Sequence, residues 1–423
     1  MKATTKTEPV RIALVGAGNR GQSYTRWVHA NPDRARLVAV ADPRSHQRDV
    51  VSAGDPEVAQ YADWREIAAL DERIADAVII ATQDRQHVEP AVALAERGYA
   101  ILMEKPLAPT EVESRRIVEA ITRTGVIFGV CHVMRYMPYT DLVKSIIDSG
   151  VLGEVINVQH LEPVGWWHMA HSYVRGPWRR EDLAAPMLLA KSSHDIDWIR
   201  YVTGKRIAKV ASFGSLQHFR PENKPAGAAD RCLDCALATS CPYAAQKLYL
   251  KTVREEGDVW PVTVITDEGT EAGVIEALRT GPYGICAYDA DNDVVDNQVV
   301  AFTFDDGTAG TFTMTAFSEQ THRRTQIFGS HGVLDGDGES ARVVDFRTGE
   351  AVVHQVGPTG AANAGGDHGG GDGGVMNAFV AAVATGDRSF IRSGPLESLD
   401  SHLTVFAAER SRHEGRIVEV PRY

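Results

Sequence analysis

The sequence predicts an α/β protein that begins with a doubly wound, parallel sheet. Short apolar runs alternate with helical segments through the first 135 residues, and a glycine-rich turn follows the first run. A length of 423 residues is enough for two or three domains. We expect two: a dinucleotide-binding domain over 1–135 and a substrate domain over 136–423, with a cysteine-containing insertion at about 219–290.

The composition excludes several classes of protein. Hydrophobic residues make up 43% of the chain and charged residues 24%, which is typical of a globular protein. The net charge of −12, without a cluster of basic residues, argues against nucleic acids or anionic lipids as partners. The first residues do not resemble a signal peptide, and every apolar run is shorter than the roughly 18 residues that cross a bilayer. We therefore expect a cytoplasmic protein without a membrane partner.

The first strand, turn and helix carry the pattern Gly16-Ala17-Gly18-Asn19-Arg20-Gly21. A strand is predicted over 10–15 and a helix over 22–30. In such a unit Gly16 permits the tight turn, Gly18 lets a pyrophosphate approach the backbone, and Gly21 allows close helix packing. The pattern predicts a dinucleotide site that also includes Asn19 and Arg20.

Asp42 closes the second predicted strand, over 35–41, and is the next expected cofactor contact. Its carboxylate can accept hydrogen bonds from the adenine ribose, which favours NAD. Arg44 lies two residues further on and leaves NADP open as an alternative.

The alternation continues through helices at 63–70, 86–97 and 111–124 and strands at 75–81, 99–103 and 126–131. Ligands of parallel sheets bind at the carboxyl ends of the strands. Further cofactor contacts are therefore expected at two such ends: Thr82, Gln83 and His87, and then Glu104, Lys105 and Pro106.

Lys105 is a candidate proton-transfer group. A positively charged nicotinamide beside it would disfavour the ammonium form and lower the lysine pKa toward a useful range. A solvated lysine in a turn fixed by Pro106 is the alternative.

A segment rich in aromatic, histidine and arginine residues follows the strand predicted over 155–163. In a loop over 165–179, such side chains would suit a polyhydroxylated ligand, with His168, His171 and Arg175 as the favoured contacts. A loop packed by its own aromatic residues is the alternative.

His194 begins a predicted helix capped by Ser192 and Ser193, and it shares a stripe with Trp198 and Tyr201. A lone histidine in this position is more often structural than catalytic. The neighbouring Lys191 and Asp195 are further candidate substrate contacts, although Asp195 would also complement the helix dipole.

Three motifs in this order, GAGNRG, EKPLA and KSSHDIDWIRYVTG, resemble the Gfo/Idh/MocA family over nearly the whole chain. The resemblance implies a Rossmann domain, then an α/β domain with an open, mostly antiparallel sheet that often supports oligomers. It implies NAD(P)-linked oxidation or reduction of sugars and cyclitols. It also makes Lys105 the catalytic lysine, with His194 as its neighbour at the substrate carbon and Glu104 and Pro106 shaping the cofactor pocket.

One position departs from the family pattern. Many relatives have an aspartate four residues before the histidine, where this chain has Ala190 followed by Lys191. Either Lys191 takes a different role there, or the substrate proton passes to Lys105 or His194 alone.

Four of the five cysteines form a potential metal site, with Cys232 and Cys235 in a CxxC pair, Cys241 nearby and Cys286 distant. Four thiolates suit a structural zinc ion, which would stabilise a stretch expected to hold few core residues. Free or disulfide-bonded thiols are an equal alternative. Cys241-Pro242 also resembles iron–sulfur ligation, although the spacing differs from the common runs.

The C-terminal part predicts a hairpin over 299–316, a continuing sheet at 326–334, helices at 375–383 and 399–412 and a last strand near residue 418. The glycine-rich stretch 365–374, which contains His368 and Asp372, predicts a mobile loop closing over the sugar site.

Together these features predict an NAD(P)-dependent dehydrogenase of a sugar, sugar derivative or cyclitol. An exposed sheet face in the second domain would make it a homodimer or homotetramer. The alternatives are a glycosidase that keeps its NAD and works by transient oxidation and elimination, and a non-catalytic cofactor-binding sensor.

Overall fold

A computed structural model of the chain describes residues 8–319, 321–357 and 368–423. These residues divide into two units. The first contains 8–141, 368–406 and 421–423, and the second contains 142–319, 321–357 and 407–420. The predicted boundary at 135 lies close to the first division, but the second unit is not continuous in sequence as the prediction assumed.

The sheet of the first unit is parallel throughout, which confirms the predicted doubly wound domain. Its order is β3-β2-β1-β4-β5-β6, so the strand order reverses beside β1. The strands are β1 Val10–Val15, β2 Ala35–Ala41, β3 Ala59–Tyr61, β4 Ala77–Ile80, β5 Ala100–Met103 and β6 Phe128–Val130.

The sheet of the second unit is antiparallel except where β7 pairs with β10, which confirms the mostly antiparallel sheet that the resemblance implied. Its order is β14-β13-β12-β11-β7-β10-β9-β8-β15. The strands are β7 Val155–Pro163, β8 Ile207–Ser215, β9 Asn297–Phe304, β10 Ala309–Thr315, β11 Arg324–Gly329, β12 Gly332–Gly336, β13 Ser340–Asp345, β14 Ala351–Gln355 and β15 Val418–Glu419.

The helices agree with the sequence prediction best where a side chain caps them. Thr110 accepts a hydrogen bond from the Glu113 amide, and Asp63 forms a capping box with Glu66. The helices are α1 Asn19–Ala30, α2 Ser45–Ser52, α3 Trp64–Ala69, α4 Val88–Glu96, α5 Glu111–Thr124, α6 Pro138–Asp148, α7 Trp166–His168, α8 Met187–Ala190, α9 Ser193–Thr203, α10 Ala245–Glu255, α11 Val262–Ile265, α12 Glu271–Thr280, α13 Gly371–Thr385 and α14 Pro395–Glu414. Within the described residues, every helix is too short or too polar to span a bilayer.

Helix α13 belongs to the first unit although it lies far along the chain. Val375, Met376 and Phe379 pack in one buried cluster with Leu14 and Tyr136. The expected mobile loop is therefore corrected: residues 371–374 already form the start of this helix. Residues 365–367 of that stretch lie outside the described part of the chain.

Two segments of the second unit are more ordered than predicted. The expected loop at 165–179 is helical up to Arg175, because α7 continues into a π-helical turn over Met169–Arg175. The insertion has its own core, in which Tyr249, Val274 and Leu278 of α10 and α12 are fully buried. The prediction of few core residues concerned 219–271, and it is wrong, because Phe219, Tyr249 and Val262 within that stretch are buried.

Candidate functional site

The glycine turn after β1 has the geometry that a pyrophosphate site needs. Gly16 has a φ of +92°, and a Cβ there would collide with the carbonyl of Ala81. A Cβ on Gly21 would collide with the carbonyl oxygen of Gly16. A Cβ on Gly18 would have no neighbour closer than 3.8 Å, from Arg44. Gly16 and Gly21 thus serve protein packing, whereas Gly18, which precedes α1, leaves open space for a ligand.

Asp42 lies at the end of β2 beside this turn. Its carboxylate accepts hydrogen bonds from the backbone amides of Ala17 and Arg44, each at 2.9 Å. The Arg44 guanidinium Nε lies 3.3 Å from the same carboxylate. Asp42 is thus held beside the turn, where the predicted ribose contact requires it.

The turn after β4 contains Thr82, half-buried, and Gln83, exposed. His87 is fully buried, and its Nδ1 and Nε2 lie 2.7 Å from the Pro106 carbonyl and 3.2 Å from the Thr82 carbonyl. Both ring nitrogens are therefore engaged by backbone. His87 thus links two strand-end turns to each other, and its expected cofactor contact stays a prediction.

Glu104 and Lys105 follow β5. Oε1 of the buried Glu104 accepts hydrogen bonds from Arg20 Nε at 2.7 Å and the Tyr24 hydroxyl at 2.5 Å. Its Oε2 accepts one from the Lys105 amide at 3.1 Å. Burial would raise the pKa of Glu104, but the Arg20 charge and these hydrogen bonds lower it. An ionised Glu104 thus anchors the backbone of Lys105, whose side chain is half-buried.

Arg20, whose side chain is 20% exposed, pairs with two buried carboxylates of the protein, and its expected cofactor contact stays a prediction. Besides Glu104, it contacts both carboxylate oxygens of Asp372, at 2.6 and 2.9 Å. The side chain of Asp372 is 7% exposed. Although its burial would raise the pKa, the Arg20 guanidinium holds the pKa of Asp372 well below its ordinary range. His368 Nδ1 lies 3.0 Å from the same carboxylate.

Sequence reasoning did not find this pairing of Arg20 with Asp372. The two residues are 352 positions apart. The available signal was the presence of two aspartates, Asp367 and Asp372, within a glycine-rich stretch.

His194 starts α9 in the second unit and is buried. Neither the expected Ser192 nor Ser193 hydroxyl caps this helix: Ser192 is the N-cap residue, but its side chain makes no capping hydrogen bond. The ring of Trp198, one turn further along, stacks on His160 of β7 with centroids 4.9 Å apart.

Asp195, a residue of α9, is fully buried, and its expected substrate contact stays a prediction. Its Oδ1 accepts a hydrogen bond from Arg323 Nε at 2.9 Å and lies 3.1 Å from His160 Nε2. Against the effect of burial, the Arg323 charge and the His160 contact lower the pKa of Asp195 to about 2. Asp195 therefore links α9 to the sheet.

Lys191 occupies the region where relatives have the missing aspartate. Its Nζ lies 3.3 Å from Glu162 Oε1, and Glu162 is also paired with Arg323 at 2.5 Å. The Lys191 side chain is 15% exposed, whereas that of Glu162 is 4% exposed. Ala190 itself is buried. The ion pair of Lys191 and Glu162 thus lies near position 190, where many relatives have a single aspartate.

His171 lies inside an aromatic cluster of the insertion. Its Nδ1 is 2.6 Å from the Tyr249 hydroxyl, and its ring stacks on Tyr283 with centroids 5.2 Å apart. Burial, with a smaller contribution from the Arg175 charge, lowers its pKa to about 3. His171 is therefore neutral near pH 7 and packed among aromatic residues, and its expected substrate contact stays a prediction.

His168 and Arg175 lie on the same helical segment. His168 is buried and meets Trp260 edge-on at 5.5 Å. Arg175 donates hydrogen bonds to the carbonyls of Ile285 at 2.7 Å and Tyr243 at 2.9 Å. Since these groups hold the insertion together, the aromatic self-packing alternative describes this segment better than the sugar-binding loop.

None of the five cysteines, all of which lie in the described residues, forms a disulfide. Cys131 is buried in the core of the first unit. The other four line a single cavity in the second unit.

Two models of one protein family match the chain. The model for "Oxidoreductase family, NAD-binding Rossmann fold" matches residues 10–132. The model for "Oxidoreductase family, C-terminal alpha/beta domain" matches residues 144–420.

Curated relatives match parts of the chain. An inositol 2-dehydrogenase of Streptomyces avermitilis is 32% identical over 201 residues, which are 47% of this chain and 54% of that protein. A scyllo-inositol 2-dehydrogenase (NAD(+)) of Bacillus subtilis is 27% identical over 286 residues, 65% of this chain and 69% of that protein. The matched stretches thus span about half to two thirds of these relatives.

A solved structure shares the fold over nearly the full length. A levoglucosan dehydrogenase in complex with NADH and levoglucosan superposes with a TM-score of 0.70 and 18% identity, covering 98% of this chain and 100% of that one. At this identity the likeness concerns the fold.

Proposed function

Because this chain belongs to the Gfo/Idh/MocA oxidoreductase family, we propose that it is an NAD-dependent dehydrogenase of a sugar, sugar derivative or cyclitol. Relatives named as inositol dehydrogenases support the substrate class. The observation that carries the proposal is the strand end at β5, where an ionised, buried Glu104 anchors the backbone of Lys105.

The residues of the first unit fit a dinucleotide. Gly18 leaves open space at the start of α1, where unpaired amides can bind phosphate oxygens. Asp42 beside this turn favours a ribose hydroxyl and opposes a 2′-phosphate by charge, which supports NAD over NADP. NAD supplies the hydride acceptor for alcohol oxidation.

The protein supplies orientation and proton transfer. We propose that Lys105 accepts the proton of the substrate hydroxyl, and His194 is the second candidate acceptor. Glu104 keeps the lysine backbone in place, and Arg20 and Tyr24 in turn hold Glu104. Since Ala190 replaces the acid of relatives, Lys191 with its partner Glu162 is proposed to orient a substrate hydroxyl instead.

The first experiment is to purify the protein without added cofactor, record the spectrum for reduced nicotinamide and identify any dinucleotide released on denaturation. Protein that is purified without bound dinucleotide is then supplied with NAD or NADP and a panel of cyclitols, sugars and anhydrosugars, and the formation of reduced cofactor is followed. We expect turnover with NAD. Protein that retains NAD is incubated with glycosides as well, and cleavage of a glycoside without net formation of reduced cofactor would instead identify the glycosidase. Cofactor binding without hydride exchange would identify a sensor.

The role of Lys105 is tested by Lys105→Ala. Loss of a general base should lower kcat by roughly 10²- to 10⁴-fold while leaving the Kd for NAD within a few-fold. Lys209→Ala, at an exposed lysine of β8, is the matched control. Full turnover by Lys105→Ala would remove the lysine from the mechanism.

A further inference from the structure

The four cysteines of the second unit surround a common cavity. Cys232, Cys235, Cys241 and Cys286 all line it. Its remaining walls are mostly small or apolar residues, and Arg175 is the charged residue among them. Cysteines that are 54 positions apart in sequence are thus collected around one space, separately from the dinucleotide site in the first unit.

Backbone hydrogen bonds build this arrangement. Arg231 and Ile285 form an isolated antiparallel bridge, and the Cys286 amide donates to the Asp230 carbonyl at 2.8 Å. These contacts bring Cys286 beside Cys232. A short 3₁₀ turn over Cys232–Asp234 then positions Cys235, whose amide lies 3.3 Å from the Cys232 carbonyl oxygen.

The geometry differs from that of a single zinc ion. Zinc bound by four sulfurs at about 2.3 Å brings those sulfurs to roughly 3.8 Å from one another and leaves no space between them. Among the described residues, the cysteine sulfurs do not form a group of three within 4.8 Å of one another. The cavity between them measures about 30 Å³, more than the roughly 10–15 Å³ that one water molecule needs.

The charge around the cavity suits an anionic group with sulfur ligands. Arg175 is 3% exposed and directs its guanidinium NH2 at Cys232 Sγ, 3.5 Å away. Hydrogen bonds and positive charge near cysteine sulfurs stabilise the extra electron density of an iron–sulfur cluster. Cys241 is followed by Pro242, as in the cysteine run of bacterial clusters.

We propose that Cys232, Cys235, Cys241 and Cys286 hold a cubane iron–sulfur cluster in the insertion of the second unit. The four thiolates would bind one iron each at the corners of the cluster, which explains why the sulfurs lie further apart than around a single zinc ion. The cluster would fix the turn at 232–235 to the strand-like segment at 285–286. It takes no part in the hydride transfer proposed above.

The test uses the full chain produced with iron and cysteine supplied and purified without oxygen. Iron, acid-labile sulfide and zinc are measured per chain, and visible absorption and electron paramagnetic resonance are recorded before and after dithionite. We expect about four irons and four sulfides with a visible band that dithionite bleaches. A protein that loses the cluster during purification is reconstituted anaerobically with ferric iron, sulfide and a thiol reductant, which supplies the electrons for the ferrous irons of the cluster, before measurement.

Single replacements locate the site. Cys235→Ala and Cys241→Ala should each lower the iron content at least severalfold, whereas Cys131→Ala, at a cysteine outside the cavity, should keep it. Because the wild-type metal content is itself decisive, a variant that fails to fold does not leave the question open. One zinc per chain without iron, an internal disulfide, or four freely titratable thiols after reconstitution would each overturn the proposal.

Discussion

Arg20 shows how strongly the role of one residue depends on a partner elsewhere in the chain. Its place inside a glycine-rich turn predicts a phosphate contact, yet its guanidinium is bound between Glu104 and Asp372. Both carboxylates are nearly fully buried, so each needs the positive charge. Arg20 therefore acts on the site through Glu104, which holds the backbone of Lys105.

Asp372→Asn tests this buried network. Removing one charge should leave Arg20 with a single ionic partner and lower the free energy of unfolding by about 3 kcal/mol, as is typical of broken buried pairs. Chemical denaturation at neutral pH measures this change in the free energy of unfolding. Asp33→Asn, at an exposed acid of the same unit, is the control and should change stability by less than about 0.5 kcal/mol. An equally small effect of Asp372→Asn would show that the network contributes little.

His171 predicts a pH dependence of stability. Its pKa falls from the ordinary value to about 3 in the folded protein, so below about pH 6.5 the unfolded chain binds a proton that the folded chain refuses. This group therefore stabilises the fold above pH 6.5, and its contribution falls by about 1.4 kcal/mol for each pH unit down to about pH 3.

The measurement compares unfolding free energies of wild type and His171→Gln at pH 7.5 and 5.5. The decrease on acidification should be about 1.4 kcal/mol smaller in the variant, whatever its absolute stability. Equal decreases in both proteins would show that His171 does not carry the effect.

At the scale of an element, the β1–turn–α1 unit separates packing from ligand binding. Gly21 is surrounded by backbone, whereas Gly18 faces open space. Gly21→Ala should therefore destabilise the protein by about 1–3 kcal/mol through the clash with the Gly16 carbonyl. Gly18→Ala should change the free energy of unfolding by less than about 1 kcal/mol but raise the Kd for NAD at least tenfold.

Calorimetry of NAD binding and denaturation of both variants check this contrast, and each variant serves as the control for the other. Unchanged NAD affinity in a folded Gly18→Ala protein would place the pyrophosphate elsewhere.

The segment from α7 to the π-helical turn shows where element prediction fails. Its aromatic, histidine and arginine residues are a reasonable composition for a sugar-binding loop, and they are equally suited to packing against an inserted subdomain. The contact residues that distinguish these two interpretations come some 70 to 110 positions later in the chain: Tyr249, Trp260 and Tyr283. Local patterns carry no information about such contacts.

On the scale of the whole molecule, local sequence patterns predicted the strands and helices of the first unit well. They predicted contacts between distant parts of the chain poorly. Strands β1 and β2 and helix α5 have the predicted bounds, because apolar runs and a capping threonine define them within a few residues. The return of α13 to the first unit was not predictable, since its apolar residues fit any core. In the candidate site, the glycine turn, Asp42 and the Glu104–Lys105 pair lie at strand ends, as local patterns predicted. Those patterns did not predict the buried partners of Arg20, Asp195 and Arg175.

The open sheet of the second unit supports the expected self-association. Phe213 on β8 is 71% exposed and pairs in register with Val299 on β9, which is 41% exposed. An apolar face of this kind is typical of a subunit interface. We predict that the wild type sediments as a dimer or tetramer and that Phe213→Asp shifts it toward the monomer, while Val112→Asp, at an exposed residue of α5, does not. A wild-type monomer at working concentration would contradict this.

The most direct test of the proposed dehydrogenase is transfer of the carbon-bound hydrogen itself. The protein is incubated with NAD and a cyclitol or sugar carrying deuterium on its hydroxyl-bearing carbons, and the reduced cofactor is analysed by mass spectrometry. We expect one deuterium per reduced nicotinamide, with transfer greatly slowed in Lys105→Ala. Reduced cofactor without deuterium, or no transfer from any member of the panel by protein that binds NAD, would contradict the account.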